Sequence, residues 1–451
     1  MHTPPETQNR SPRREMHRRR MHMTLWLGAV LLIVLGTGWA IFFATKAAWA
    51  IVAMDLFMLT VGVAIAALTH LRRTRMAFFL LIGSMFIVIC GICLLLDVPN
   101  AQAPRSTHNF LLVLAIVALV FLRDDTPALR YGVTGIYYLA FVVLASWPVG
   151  FDMGYTLPDD TRVWGTWVNN FFSALGIYAM VHVMVADLAE HSAMEMALRK
   201  GLVRGEFFVT YQPQVTSEGL VTGAEALLRW RHPTLGLVPP DEFIPLAEQN
   251  GLILPLGAWV LGTACSQLVA WSGKPGLDSL TLAVNVSVCQ FRQADFVQQV
   301  QSVIERTGVQ PSRLKLELTE SSLVHDMEDI ITKMAQLKAL GVGFSLDDFG
   351  TGYSSLNYLK RLPLDQLKID QSFVRDILTD SNDAAIARMI IGLGESLHFT
   401  VIAEGVETTG QQEFLIENGC RLFQGYLFSK PVPVEAFEAY VFAAKTASTH
   451  Q

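Results

Sequence analysis

VGFSLDDFGTGYSS, residues 342–355, decides how the second half of this 451-residue chain is read. An apolar, β-branched run ends in two adjacent aspartates, Asp347 and Asp348, then enters a loop with Gly350, Gly352 and two serines. Paired carboxylates repel. Either water solvates them in a turn, or a cation holds them, since hard divalent ions take carboxylate oxygens. The residues around this stretch choose between the two.

Short β-rich runs recur from about residue 205: FFVTYQPQV (207–215), LVTGAEALL (220–228), TLAVNVS (281–287), RLKLELT (313–319), VGFSLDD (342–348), QLKID (366–370), TVIAEGV (400–406) and CRLFQGYLF (420–428). Between most of them lie stretches with apolar residues near i, i+3 and i+4, such as FVQQVQSVIERTG and MEDIITKMAQLKALG. Glycines close several of these, at Gly308, Gly341 and Gly419. About eight strands alternating with helices predict a TIM-type (β/α)8 barrel. The first two runs have little between them and predict a hairpin, so that one strand runs antiparallel and the barrel is a modified one.

Chemistry in such barrels sits at the carboxyl ends of the strands. The polar residues there are Glu225, Asn285, Glu317, Asp347, Asp348, Lys368 and Glu404, with Glu320 and Glu407 slightly later. A single acidic strand end is usually a capped turn. A series from successive strands, joined by an Asn and a Lys, reads as an acidic ring. Carboxylates with one amide oxygen and no His or Cys cluster suit Mg2+ or Mn2+ rather than Zn2+. They outnumber the needs of one ion, and two ions are the arrangement used for phosphodiester cleavage. Lys368 is suited to orient a water or offset charge in the transition state, and Arg229, shortly after Glu225, to hold a phosphate.

The first half is different. The whole chain is 51% hydrophobic and 16% charged, with mean hydropathy +0.37, where a soluble protein carries about 25% charge. The excess lies in the first ~190 residues, as six apolar stretches at about 24–45, 49–68, 77–96, 109–122, 131–148 and 167–186. The fourth is the shortest. Further spans follow the first directly, which argues against a cleaved signal peptide.

Arginines set the orientation. Arg10, Arg13, Arg14, Arg18, Arg19 and Arg20 precede the first span, Arg72, Arg73 and Arg75 follow the second, and Arg123 and Arg130 follow the fourth. The other loops hold Lys46, Arg105, and Arg162 among Asp152, Asp159 and Asp160. This predicts a cytoplasmic N-terminus and, after six crossings, a cytoplasmic second half beginning near Arg199 and Lys200.

Three features of the spans stand out. Asp55 is the acid within them; it lies in the outer part of the second span, facing water or serving a sensing or structural polar role. His182 reads as an interfacial or packing residue. Cys90 and Cys93 form C-x-x-C, either a redox pair or small residues in helix packing. The predicted organisation is a basic tail (1–23), six spans (24–186), a connecting helix (187–204) and a barrel (205–445). Five scattered cysteines give no disulfide scaffold, and a net charge of −6 argues against a nucleic-acid polymer as partner.

The second half resembles the EAL family of cyclic di-GMP phosphodiesterases. The name-giving triplet is Glu225-Ala226-Leu227 within EALLRWRHP, and the likeness continues through YQPQV, FIPLAEQNGLI, VNVS, LELTES, DDFGTGYSSL, LKID, IAEGVET and QGYLFSKP, over about 205–440. The resemblance implies a modified barrel that opens cyclic di-GMP to linear pGpG with two Mg2+ or Mn2+ ions. It matches Glu225, Asn285, Glu317 and Asp347 to the first metal, and Asp348 and Glu404 to the second, with Asp347 bridging. Lys368 matches the lysine that holds the attacking water. Gln212, Leu228 and Arg229 match substrate-lining residues, and Gln424 and Pro431 a guanine-side motif. Glu320 matches the glutamate supporting the loop after the paired aspartates, and Glu407 an acid near the metals.

The expected protein is therefore a multi-pass enzyme of a bacterial inner membrane, its barrel cytoplasmic and gated by the spans. Members of the family commonly form homodimers through the barrel. The contrasting readings are a catalytically silent cyclic di-GMP receptor, which needs no second metal, and a transporter with a regulatory barrel. No stretch resembles the opposite, synthetic domain.

Overall fold

The computed structural model describes residues 12–123, 125–151, 158–323, 327–350 and 359–448. Arg10, Asp152 and loop residues 351–358, with Gly352 and the two serines after it, lie outside the described residues. The chain divides into two compact units, Met1–Ala193 and Met194–Gln451.

The first unit is helical: α1 (Pro12–Thr45), α2 (Trp49–His70), α3 (Thr74–Leu95), α4 (Phe110–Phe121), α5 (Pro127–Ser146) and most of α6 (Asp159–Arg204). By length and composition, Met21–Thr45, Trp49–His70, Thr74–Leu95, Pro127–Ser146 and Asp159–Ala186 suit a membrane span. The fourth predicted span, the shortest of the six by sequence, is a short helix. The apolar helical stretch covers Thr107–Phe121, and the twelve residues of α4 rise about 18 Å at 1.5 Å each, against a hydrocarbon core of about 30 Å.

Helices α1 and α2 approach closely. A Cβ at Gly36 would lie 2.7 Å from the carbonyl oxygen of Asp55 and 2.9 Å from the amide of Leu59, so a small residue there sets the packing distance. The structure corrects one expectation: Asp55 is 3% exposed and does not face water. Its Oδ2 has no hydrogen-bond partner. Cys93 is buried in the helix packing and Cys90 half-buried, both as free thiols. His182 is exposed, with its ring stacked on Tyr178. Arg105, a loop charge by sequence, is 7% exposed. It donates to the carbonyls of Asp97, Leu144 and Trp147 at 3.1, 2.5 and 3.1 Å.

The second unit begins within α6. Met194, Ala197, Leu198 and Leu202 pack with Phe207, Trp230 and Phe243, so the end of the predicted connecting helix belongs to the body of the barrel unit. The strands are β1 (Phe207–Thr216), β2 (Val221–His232), β3 (Gly236–Val238), β4 (Thr281–Asn285), β5 (Leu314–Thr319), β6 (Gly343–Phe349), β7 (Gln366–Ile369), β8 (Thr400–Ala403) and β9 (Leu422–Phe423). The helices are α7 (Pro240–Gln249), α8 (Ile253–Trp271), α9 (Val288–Phe291), α10 (Phe296–Thr307), α11 (Met327–Ala339), α12 (Gln371–Arg375), α13 (Ser381–Leu397), α14 (Thr409–Glu417) and α15 (Val434–Ser448).

The sheet runs β1-β9-β8-β7-β6-β5-β4-β2-β3, and pairing of β1 with β2 closes it. Strand β1 is antiparallel to both of its neighbours, while β2, β4, β5, β6, β7, β8 and β9 follow one another in parallel. The barrel thus has eight strands with one reversed, as expected, and β3 is an added edge on β2. The three residues of β3 carry too little pattern to be seen in the sequence.

Helix α8 is also long and apolar enough to cross a membrane by composition. Its Ala264, Cys265, Leu268 and Trp271 instead pack with Leu282 and Val284 of β4 in the barrel core. Packing against the sheet accounts for its apolar character. At helix ends, Gly308 (φ 71°), Gly341 (φ 99°) and Gly419 (φ 97°) adopt the left-handed backbone that only glycine takes freely.

Candidate active site

Parallel register brings the strand-end residues to one mouth. Glu225 lies level with Gln212 across the hairpin and with Ala283 of β4; Asn285 is level with Glu317, and Thr319 with Asp347. Side chains alternate along a strand, so Gln212 and Gln214 of β1 share a face, and Glu317 points the same way as its register partners Asn285 and Ser345.

Adjacent residues on a regular strand point to opposite faces, which raises the question of how Asp347 and Asp348 serve one site. The β6–β7 register slips between Leu346 and Phe349, and Asp348 takes φ +56°. A bulge of this kind re-aims a side chain, and Asp is one of the few residues that tolerate left-handed backbone. The Asp348 amide donates to Asp347 Oδ1 at 2.9 Å. Glu320 closes the turn from below, with Oε2 accepting from the Gly350 amide at 3.1 Å.

At the centre stands Lys368, fully buried on β7. Its Nζ is 2.5 Å from Glu404, 2.7 Å from Glu317, 3.3 Å from Asp347 and 3.8 Å from Glu225. Burial alone would discharge this lysine, but the fields of Glu225, Glu317, Glu404 and Asp347 raise its pKa well above the ordinary value. One ammonium does not satisfy four carboxylates. Burial, reinforced by Glu225 and Asp347, pushes Glu317 up to about 8. Burial also raises Glu404 well above the carboxylate range. Asp348 rises to about 6 through burial and its neighbours Asp347 and Asp370. Glu225 goes the other way: burial opposes its charge, but Lys368 and hydrogen bonds from Gln424 and Asn285 hold it below the usual value.

The amides are arranged around Glu225. Asn285 Nδ2 donates to Oε1 at 2.5 Å and Gln424 Nε2 to Oε2 at 2.6 Å. Gln424 Nε2 also reaches Gln212 Oε1 at 3.0 Å, and Gln212 Nε2 donates to the Ser429 carbonyl at 3.2 Å. Arg229 is half-buried, with burial lowering its pKa and Glu225 countering that. Leu228 stands beside it on β2, half-buried. Pro431 precedes Val432, whose backbone bonds in both directions to Tyr211 of β1 at 2.8 and 3.0 Å. Glu407 is exposed, and its backbone amide donates to Gln411 Oε1 at 2.8 Å. One residue that sequence reading did not single out joins this network: Gln214, whose Nε2 donates to Gln424 Oε1 at 3.1 Å.

The donor set fits a hard divalent cation. Its atoms are oxygens, and its negative charge exceeds what Lys368 and Arg229 supply. Glu317 Oε1 and Glu404 Oε1 are buried without a hydrogen bond; the latter meets Lys368 by proximity alone. Asn285 spends its Nδ2 on Glu225, which leaves Oδ1 as a ligand atom. Among the described residues no three acidic, His or Cys side chains are grouped as a metal site, and the Lys368 ammonium lies among four of the carboxylates.

Comparison with known proteins agrees with this architecture. Bifunctional diguanylate cyclase/cyclic di-GMP phosphodiesterase MucR of Pseudomonas aeruginosa is 46% identical over 259 residues, 57% of this chain and 38% of the relative. Cyclic di-GMP phosphodiesterase PdeR of Escherichia coli is 40% identical over 251 residues, 56% of this chain and 38% of the relative. This chain therefore spans well under half of these relatives. A solved structure described as PaMucR phosphodiesterase in a c-di-GMP complex superposes with TM-score 0.53 at 45% identity, covering 54% of this chain and 99% of that one. The EAL enzyme Bd1971, with cAMP and cyclic di-GMP bound, superposes with TM-score 0.54 at 31% identity, covering 63% and 80%. The model of the EAL domain matches residues 195–431, more than half of the sequence, and on these grounds the chain belongs to the EAL domain family.

Proposed function

We propose that this chain is a membrane-bound phosphodiesterase that hydrolyses cyclic di-GMP to linear pGpG. The observation that carries the reading is the convergence of Glu225, Glu317, Asp347 and Glu404 on Lys368 in the barrel mouth. The names of the relatives and the ligand of the solved one point to the same substrate.

Glu225, Asn285, Glu317 and Asp347 would hold a first Mg2+ or Mn2+, and Asp348 and Glu404 a second, with Asp347 shared. Bound there, such ions lower the pKa of a water and neutralise the phosphate. The protein's own residues do the rest. Lys368 holds the attacking water by Nζ and stays charged because carboxylates surround it. Arg229 takes a phosphate oxygen, while Gln212, Leu228, Gln424 and Pro431 line the nucleotide side. Glu320 fixes the backbone of the turn that carries Asp347 and Asp348. Glu407 would stand as an acid near the metals.

The arginine-rich loops support a bacterial inner-membrane location with the N-terminus and barrel in the cytoplasm. The return to the cytoplasm requires α4 to count as a crossing despite its length. The spans would regulate the barrel.

The test is direct. Full-length protein in detergent with Mg2+ should convert cyclic di-GMP to pGpG on a chromatogram, and Glu225→Ala should remove the activity while leaving the circular dichroism spectrum unchanged. Folded wild-type protein that binds the nucleotide but yields no pGpG would make this a receptor.

A further inference from the structure

Gln214 lies on β1 two residues from Gln212, 2% exposed, at the bulge where the β1–β2 register slips. Its register partner is Gly223, which has no side chain to offer it. A Cβ at Gly223 would lie 2.6 Å from the Thr281 carbonyl, so that position stays empty of side chain and Gln214 turns to another partner. That partner is Gln424: Gln214 Nε2 donates to Gln424 Oε1 at 3.1 Å.

The polarity of this chain of amides follows from its far end. An ionised carboxylate only accepts, so Gln424 presents its NH2 group to Glu225 Oε2 at 2.6 Å. The second hydrogen goes to Gln212 Oε1 at 3.0 Å. Both donors of Gln424 are then spent, and among the described residues its side-chain carbonyl accepts from Gln214. Without that donor the Gln424 carbonyl would be a buried acceptor with no partner, and the amide that Glu225 orients would lose the contact that holds it in place. Reversing the amide gives no relief, because its oxygen would then face the Glu225 carboxylate. Glu225 lies next to Asn285 and Lys368, so a change at residue 214 reaches the acidic ring through a single amide.

We infer that Gln214 is a positioning residue that anchors the Gln424 amide, whose orientation Glu225 dictates, and through it fixes Glu225 for divalent-cation binding. The inference rests on the proposed metal-assisted reading of the pocket. Groups that orient a ligand without touching the ion typically change affinity or activity by about 10–100-fold when removed.

The experiment uses the full-length protein in detergent, titrated with Mg2+ by calorimetry and assayed for pGpG. Gln214→Met fills the space without a donor and should weaken Mg2+ binding by about 10-fold, with an unchanged melting temperature in EDTA. Gln214→Glu, nearly isosteric, places an acceptor opposite the Gln424 oxygen and should weaken binding at least as much; it carries the test if Gln214→Met does not fold. In a Gln424→Leu background, Gln214→Met should cost nothing further, since neighbours that act through one another are not additive. Wild-type Mg2+ affinity in Gln214→Met, or an equal loss in both backgrounds, overturns the inference while leaving the hydrolytic reading intact. A wild-type protein that neither binds Mg2+ nor makes pGpG overturns both.

Discussion

The two units bury charge in opposite ways. In the helical unit Arg105 spends its guanidinium on backbone carbonyls, including those of Asp97, Leu144 and Trp147, and the buried acid Asp55 stands in a close helix contact. In the barrel, Lys368 meets four carboxylate side chains. A charge satisfied by carbonyls ties chain segments together and leaves nothing over. A charge ringed by carboxylates leaves an excess of negative oxygen that a cation can use. The difference separates a structural site from a chemical one, although both satisfy a buried cation.

Breaking the barrel side of this contrast should have the largest effect. Lys368→Met removes the ammonium and leaves four carboxylates facing one another; losing one partner of a buried ion pair costs about 3–5 kcal/mol. Thermal unfolding in EDTA should show that loss, and Mg2+ should restore part of it. An equal loss with and without Mg2+ would mean that the ring does not take a cation. On the other side, Arg105→Met leaves buried carbonyls without donors and should cost about 1.5–3 kcal/mol, insensitive to Mg2+. The readout is faster proteolysis at the C-terminal ends of α3 and α5.

Gly36→Val tests the helix contact itself, because its Cβ would meet the α2 backbone. Overpacking of this kind costs about 1–3 kcal/mol, seen as a lower melting temperature in detergent with the Mg2+ response retained. The smallest effect is expected at Gly308→Ala. No atom lies within 4 Å of the added Cβ, so only the left-handed backbone opposes it, by about 1–2 kcal/mol. A larger drop in denaturant midpoint would mean that the α10 terminus is more crowded than the geometry shows.

Much of the barrel is legible in the sequence. All eight barrel strands were placed, since β-branched runs between helical periods mark them clearly. Helices α7, α9, α12 and α15 were not: Pro245 sits inside the first, the second and third have only four and five residues, and the last follows a proline-rich turn with no strand after it. The fourth span illustrates the limit in the other direction: apolar composition counts residues, whereas helix α4 has only twelve. Composition likewise does not distinguish α8 from a span, because a helix between a sheet and its neighbours is as apolar as one in lipid.

The sequence alone determined which residues end the strands, and therefore which carboxylates, amide and lysine could meet: their identity and order are written along the chain, and strand periodicity places them at one end. Tertiary structure decided how they meet. The left-handed Asp348, the slipped β6–β7 register, Lys368 at the centre of the acids and the Gln214–Gln424 contact each depend on strands far apart in sequence closing into a ring. The physical reason is that a hydrogen bond or ion pair is a property of distance and angle between two groups, and only closure of the barrel sets these.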